Sequence, residues 1–230
     1  MSNTDNKMVS TETMNASKDR IRGSLIGGAI GDALGYPVEF MSLQEIEKKY
    51  TNTGITRYKL NVNGVAEISD DTQMTLFTAN GLLFGYTRGA LRGIMAGPEN
   101  YIMDSYLEWL QTQTGDIDYT KTHYNWIREV EELHSRRSPG NTCLQALGQI
   151  AHGKKVDNNS KGCGGIMRIA PIPLFYSGKM KPSNPKTAMR VAGESARITH
   201  KHPLGFLPAA LLAHIIEKLL HLMLMKDMRS

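Results

Sequence analysis

Residues 67–74 read Glu-Ile-Ser-Asp-Asp-Thr-Gln-Met. Two adjacent carboxylates, Asp70 and Asp71, lie between the hydroxyls of Ser69 and Thr72. Ser69 suits a helix N-cap, because its oxygen can accept a bond from an orphan backbone N–H. Asp70 and Asp71 then fall in the first turn, where the helix dipole favours negative charge. Met74, Phe77 and Phe84 follow at roughly helical spacing. Read locally, capping explains the pattern. The same oxygens also suit a hard divalent cation such as Mg²⁺, which takes one or two carboxylates plus water and substrate oxygens.

Other residues could also do chemistry. The run Gly162-Cys163-Gly164-Gly165-Ile166-Met167-Arg168 precedes an apolar segment. A glycine-rich turn at a helix start can aim N–H groups at a phosphate, with Arg168 adding charge. Backbone geometry alone is the commoner reason for such glycines. No Gly-Lys-Ser/Thr follows, which excludes a Walker A loop. His200 and His202 stand at a predicted helix end, as ligands or as caps on the last carbonyls. Cys163 with His200 offers a Cys–His nucleophile pair, against the reading of a small cysteine used for packing. Asp116 and Asp118 are a spaced carboxylate pair, explained by solvated turn chemistry.

The elements that must hold these groups read as helices. Residues 1–18 are polar and rich in Ser, Thr and Asn, and read as a disordered lead-in. One domain then spans 19–230. Its first helix carries Ile21, Leu25, Ile26, Ala29, Ile30, Ala33 and Leu34 at helical period. Gly23, Gly27, Gly28, Gly31 and Gly35 interrupt it, each costing roughly 1 kcal/mol against alanine. Small residues four apart (Gly27, Gly31, Gly35) predict a closely approaching backbone, and Asp32 lies within this segment. Pro37 ends the helix. Ser42-Leu43-Gln44-Glu45 is a capping box opening a short helix to Tyr50. Residues 55–68 lack helical period, and Asn63-Gly64 suggests a tight turn. Further helices are predicted over 99–113, 124–136, 142–152 (capped at Asn141-Thr142), 169–176, 188–198 and 207–225, with a break at 182–185. No strand–helix alternation and no fixed-period repeat appears, so the chain reads as all-α and compact.

Composition narrows the partners. Of 230 residues, 40% are hydrophobic and 21% charged, as in soluble globular proteins. The net charge of +5 is mild, and no basic stripe with interleaved aromatics occurs, so nucleic acid is not an expected partner. Cys143 and Cys163 are too few for a disulfide framework and fit a reducing compartment. The N-terminus lacks the apolar core of a signal peptide. Residues 207–225 are apolar but contain His214, Glu217, Lys218 and His221, which predicts a buried or interface helix, not a membrane span. The expected location is the cytoplasm.

Five segments, in order, resemble the ADP-ribosylglycohydrolase family, which includes the dinitrogenase reductase-activating glycohydrolases. They are Gly27-Gly28-Ala29-Ile30-Gly31-Asp32-Ala33-Leu34-Gly35 with Pro37 and Glu39-Phe40, then Ser69-Asp70-Asp71-Thr72-Gln73-Met74, then Arg137-Ser138-Pro139-Gly140-Asn141-Thr142. The fourth runs from Ser160 and Lys161 through Gly162 to Arg168 with Ala170-Pro171, and the fifth is Thr199-His200-Lys201-His202-Pro203. Each is modest alone, and the ordered set is specific.

The resemblance implies an all-α fold with two metal ions, usually Mg²⁺ with Mn²⁺ as an alternative, at the base of an ADP-ribose cleft. It implies Ser69, Asp70 and Asp71 as metal ligands, with Glu39, Asp70 and Asp71 as the catalytic set. Asp32, Gly162, Cys163, Gly164, Gly165, Met167 and His200 would contact substrate, with Gly162 to Gly165 at the diphosphate. The implied substrate is an ADP-ribosylated protein or a small ADP-ribose conjugate, hydrolysed to release ADP-ribose. The family's later Asp-x-Asp-Thr/Ser motif has no counterpart, since only Asp227 follows Pro203. Two Mg²⁺ ions need about a dozen oxygen ligands. The expectation is therefore a domain incomplete at its C-terminus, with apolar surface exposed on its last helix, weak metal binding and low or no activity. A non-catalytic ADP-ribose-binding module is the alternative reading.

Overall fold

The computed structural model describes residues 3–94, 96–115, 126–177 and 186–227. Eight α-helices account for most of them: α1 Asn3–Gly35, α2 Leu43–Tyr50, α3 Asp70–Arg92, α4 Pro98–Thr114, α5 Asn141–Ala151, α6 Pro171–Ser177, α7 Thr187–Arg197 and α8 Pro203–Asp227. Among the described residues the only β pairing is one isolated bridge, Leu60 with Ala66. It closes the turn expected at Asn63-Gly64, where Gly64 takes a positive φ of 73° and Asn61 Oδ1 accepts from the Asn63 and Val65 N–H groups. The all-α expectation holds.

The core forms where α3 crosses α4 and is closed by α5, α6, α7 and α8. Met74 and Phe77 of α3 meet Ile102, Tyr106, Trp109 and Leu110 of α4, and Leu147, Ile169, Ile172 and Val191 complete the cluster. Gly81 makes the α3–α4 approach, since a β-carbon there would lie 2.8 Å from the Tyr101 carbonyl. Helices α7 and α8 meet through Ala192, Ala196, Ala209 and Ala213, all fully buried. Small residues on both sides let two helices dock at short range.

Several expectations need correction. Helix α1 begins at Asn3, not near Asp19. No proline or glycine occurs before Gly23, so a helix nucleated downstream propagates through this stretch at little cost per residue. No atom lies within 4 Å of a β-carbon built on Gly27, Gly31 or Gly35, so these glycines do not serve helix docking. The helix predicted over 124–136 is instead two 3-10 turns, Trp126–Glu129 and Glu131–His134. Gln73 Nε2 donates to the Leu133 and Ser135 carbonyls and so takes up acceptors that a longer helix would use. Helix α5 has no side-chain cap; Thr142 Oγ1 bonds Ser160 Oγ at 3.2 Å. Asp116, Asp118 and the break at 182–185 lie outside the described residues.

Helix α8 is buried on one face only. Leu207, Leu211, Ile215, Leu219 and Leu222 remain about half exposed or more, at helical spacing. Its stretch Pro203–Leu222 is long and apolar enough to cross a membrane by length and composition.

Candidate functional site

The start of α3 is tied down twice. Ser69 is the N-cap and its Oγ accepts from the Asp71 N–H at 3.2 Å. Asp32 of α1 supplies a second cap across 37 residues of chain. Its Oδ2 accepts from Ser69 N at 2.9 Å, Thr72 N at 3.2 Å and Thr72 Oγ1 at 2.5 Å. The helix dipole welcomes a carboxylate there, and this charge within a glycine-rich helix has three hydrogen-bond donors.

Asp70 points inward and is 3% exposed. Its backbone N–H donates to the Arg137 carbonyl at 3.1 Å, and its Oδ2 accepts from Gly140 N at 3.1 Å. The loop 137–140 therefore wraps Asp70. Ser138 in that loop takes a positive φ of 55°, uncommon for a residue with a β-carbon, and donates to the Tyr36 hydroxyl at 3.2 Å.

Burial pushes the Asp70 carboxyl up to about 7; the Gly140 N–H opposes this, and the Asp71 and Glu39 charges add to it. Burial, then Asp32 and Glu39, push Asp71 up to about 6. Glu39 is also raised, by burial and then by Asp32. Among the described residues no lysine or arginine forms an ion pair with any of these four carboxylates. Four acids share one region of partly excluded water: the Asp32 charge raises Glu39 and Asp71, and the Glu39 charge raises Asp70 and Asp71.

A cavity of about 520 Å³ opens over this floor, within the usual range for small-molecule sites. Asp32, Glu39, Ser69 and Asp71 line it together with Thr72 and Tyr36. Gly27, Gly28, Gly31 and Gly35 form the α1 wall, so the missing β-carbons leave room for a ligand. Cys163 and Met167 line the opposite side. The cavity thus brings together Asp32, Glu39, Ser69, Asp71, Cys163 and Met167. Asp70 lies behind the floor, and Gly162, Gly164, Gly165 and His200 are not on its wall.

The glycine turn is built for packing. Residues 163–165 make a 3-10 turn, and Ile166 N and Met167 N both donate to the Cys163 carbonyl. A β-carbon on Gly165 would lie 2.6 Å from the Gly205 carbonyl, and one on Gly164 would meet His200 at 3.0 Å and Cys143 Sγ at 3.1 Å. His200 is 2% exposed beneath this turn. Arg168 is fully buried and faces the core, not a phosphate. Its guanidinium donates to Thr199 Oγ1, the Ser195 carbonyl, Cys143 Sγ and Met74 Sδ, and stacks 4.4 Å from the Tyr106 ring centre. His202 accepts from Leu204 N at 3.0 Å and so caps the start of α8, not the end of α7. No hydrogen bond joins Cys163 to His200 among the described residues, which leaves the Cys–His nucleophile reading without support.

Tyr36, Gly140 and Thr199 hold site and core residues in place through Ser138, Asp70 and Arg168. Tyr36 and Gly140 stood inside or beside quoted segments, but nothing local marks a residue whose partner is distant in sequence.

Ser69, Asp70 and Asp71 carry only hard oxygens, the donor type that Mg²⁺ and Mn²⁺ prefer. Among the described residues, no three His, Cys, Asp or Glu side chains are grouped to hold a metal ion. The set fits such a cation as a partial shell, in which water and ligand oxygens supply the remaining positions.

An all-helical domain with an acid-floored cavity of nucleotide scale is the class that fold and site define. The sequence profile of the ADP-ribosylglycohydrolase family matches residues 13–229, and the chain belongs to that family. The chain is 27% identical over 212 residues to ADP-ribosyl-[dinitrogen reductase] glycohydrolase of Rhodospirillum rubrum, covering 88% of this chain and 58% of that protein. It is 28% identical over 190 residues to an uncharacterized protein of Archaeoglobus fulgidus, covering 80% of this chain and 50% of the relative. The chain thus spans about half the length of these curated relatives. No solved structure matches it.

Proposed function

We propose that this chain acts as an ADP-ribosyl glycohydrolase, cleaving the N- or O-glycosidic bond of an ADP-ribosylated protein or a small ADP-ribose conjugate. The observation that carries the reading is the cavity whose floor gathers Asp32, Glu39, Ser69 and Asp71 with no lysine or arginine among its described lining residues. Mg²⁺, or Mn²⁺ in its place, would be held by Ser69, Asp70 and Asp71 and would supply Lewis-acid polarisation and orientation of hydroxyl groups.

The chain's own residues account for the rest. Asp71 accepts hydrogen bonds from ribose hydroxyls, and its charge favours the oxocarbenium-like transition state. Glu39, exposed at the cavity and raised toward neutrality, takes a proton from water as that oxygen bonds to the anomeric carbon. The electron pair of the breaking bond leaves with the acceptor group, which takes up a proton. Asp32 holds the α3 start and so fixes Ser69 and Asp71. A partial donor shell implies weak metal binding and slow turnover.

A second reading, a non-catalytic ADP-ribose-binding module, is favoured by the absence of a grouped metal-ligand set among the described residues. Incubation with an ADP-ribosylated arginine peptide separates the two. The expected result is release of ADP-ribose that requires Mg²⁺, stops with chelator and falls at least about 100-fold in Asp71→Ala. ADP-ribose binding by calorimetry without turnover at any Mg²⁺ concentration would establish the binding module instead.

A further inference from the structure

Tyr36 is the only aromatic residue among the described residues that line the cavity. It opens the 3-10 turn Tyr36–Val38 that follows α1, and it shares the wall with Asp32 and Glu39. Its hydroxyl accepts from Ser138 Oγ at 3.2 Å. Ser138 is not on the cavity wall, so this bond reaches the phenol from outside the lining. A phenol carries one proton and can accept as well as donate. With Ser138 as the donor, the Tyr36 proton is left over, and among the described residues no hydrogen bond takes it up.

Ser138 holds its place against its own backbone preference. Its φ of 55° lies in the left-handed region, which disfavours a residue with a β-carbon. Such a conformation persists where the surroundings over-determine it. On one side of Ser138, the Arg137 carbonyl accepts from Asp70 N, and Arg137 Nη1 pairs with Glu67 at 3.3 Å. On the other side, Gly140 N donates to Asp70 Oδ2. The loop 137–140 is thus a strut between Tyr36 on the wall and Asp70 behind the floor.

The floor decides which part of a ligand meets Tyr36. Ionised carboxylates only accept, so Asp32, Glu39 and Asp71 suit the hydroxyl protons of a sugar and leave its oxygens without a donor. We propose that Tyr36 is a ligand-binding residue that donates its phenolic proton to an oxygen of the sugar held over the acidic floor, and that Ser138 is the positioning residue that leaves this proton free. That the sugar is the ribose beyond the diphosphate of an ADP-ribose conjugate rests on the proposed function; the Tyr36–Ser138 pair does not.

Calorimetry of the full chain with ADP-ribose and with ADP, which lacks that ribose, tests the donor role. Tyr36→Phe keeps the ring and loses the proton; it should bind ADP-ribose about ten-fold more weakly and ADP within about two-fold of wild type. Ser138→Gly relaxes the positive φ but lacks the hydroxyl; it should bind ADP-ribose about three-fold more weakly, with no further loss when added to Tyr36→Phe. Unchanged ADP-ribose affinity in Tyr36→Phe, or an equal loss for ADP, would overturn the donor role. A further loss on adding Ser138→Gly to Tyr36→Phe would overturn the positioning role. Without ligand, denaturant unfolding of Tyr36→Phe, Ser138→Ala and the double variant should give non-additive losses, and additive losses would overturn the pair. If the wild type binds no ADP-ribose, the proposed function fails, and the unfolding cycle still decides the pair.

Discussion

The floor beneath α1 and the bed beneath the glycine turn are charged in opposite senses. The floor holds Asp32, Glu39 and Asp71, with Asp70 just behind it, and no cation is paired to any of the four among the described residues. The bed holds Arg168, fully buried, with no carboxylate in ion-pair reach among the described residues. The bed instead meets the charge at Nη1 and Nη2 with neutral acceptors and an aromatic face, namely Thr199 Oγ1, the Ser195 carbonyl, two sulfurs and the Tyr106 ring, and only Nε stays without a hydrogen-bond partner. Asp32 is satisfied by backbone and hydroxyl donors, but Asp71 faces the cavity and keeps a raised pKa. A charge solvated by the fold serves structure, whereas a charge left short of partners at a cavity is available for a ligand.

The largest expected effect breaks the bed. Arg168→Ala removes a fully buried side chain and leaves Thr199 and the Ser195 carbonyl short of a donor. The loss should be about 4 kcal/mol by denaturant unfolding. Near-neutral stability would show that the bed does not depend on its cation.

Removing the tie between α1 and α3 comes next. Asp32→Ala strips three hydrogen bonds from the α3 start and should cost about 2–3 kcal/mol. Ser69→Ala, which removes one cap bond, should cost about 1 kcal/mol.

The two regions should also respond oppositely to pH in metal-free protein. Asp70 sits near 3.8 when unfolded and about 7 when folded, so the folded state binds more protons between those values. Its contribution to stability is greatest below about pH 4 and is lost as pH rises toward 7. His200 is depressed from 6.5 to about 4. The unfolded state binds more protons in that window, so its contribution falls as pH drops from 6.5 to 4. Asp70→Asn should gain on the order of 2 kcal/mol over wild type at pH 8, with little change at pH 4. Melting curves across this range check both slopes, and the same slope in Asp70→Asn and wild type would remove Asp70 from the account.

The sequence made the α3 start legible because its signals are local: a hydroxyl, two acids and a helical apolar stripe within a few residues. The Ser42–Glu45 capping box formed for the same reason. What stayed hidden depends on side chains meeting across the fold. Nothing near Asp32 announces that it caps a helix 37 residues away. Gly27, Gly31 and Gly35 carry the spacing of a docking face, yet they border a cavity, because spacing cannot tell an approaching backbone from an approaching ligand. Arg168 and His200 stood beside glycines and looked like ligand-facing groups. Both are buried, because the turn glycines admit close packing from α7 and α8.

The reading of the floor as a cation site is tested most directly by titrating Mg²⁺ into the metal-free chain by calorimetry at pH 6 in buffers of different ionisation enthalpy. Mg²⁺ should bind with proton release, because Asp70 at about 7 and Asp71 at about 6 must ionise to ligate it. Asp71→Asn should weaken binding, and Asp70→Asn should also abolish most of the proton release. No binding at millimolar Mg²⁺, or binding unchanged in the Asp70→Asn, Asp71→Asn double variant, would contradict it.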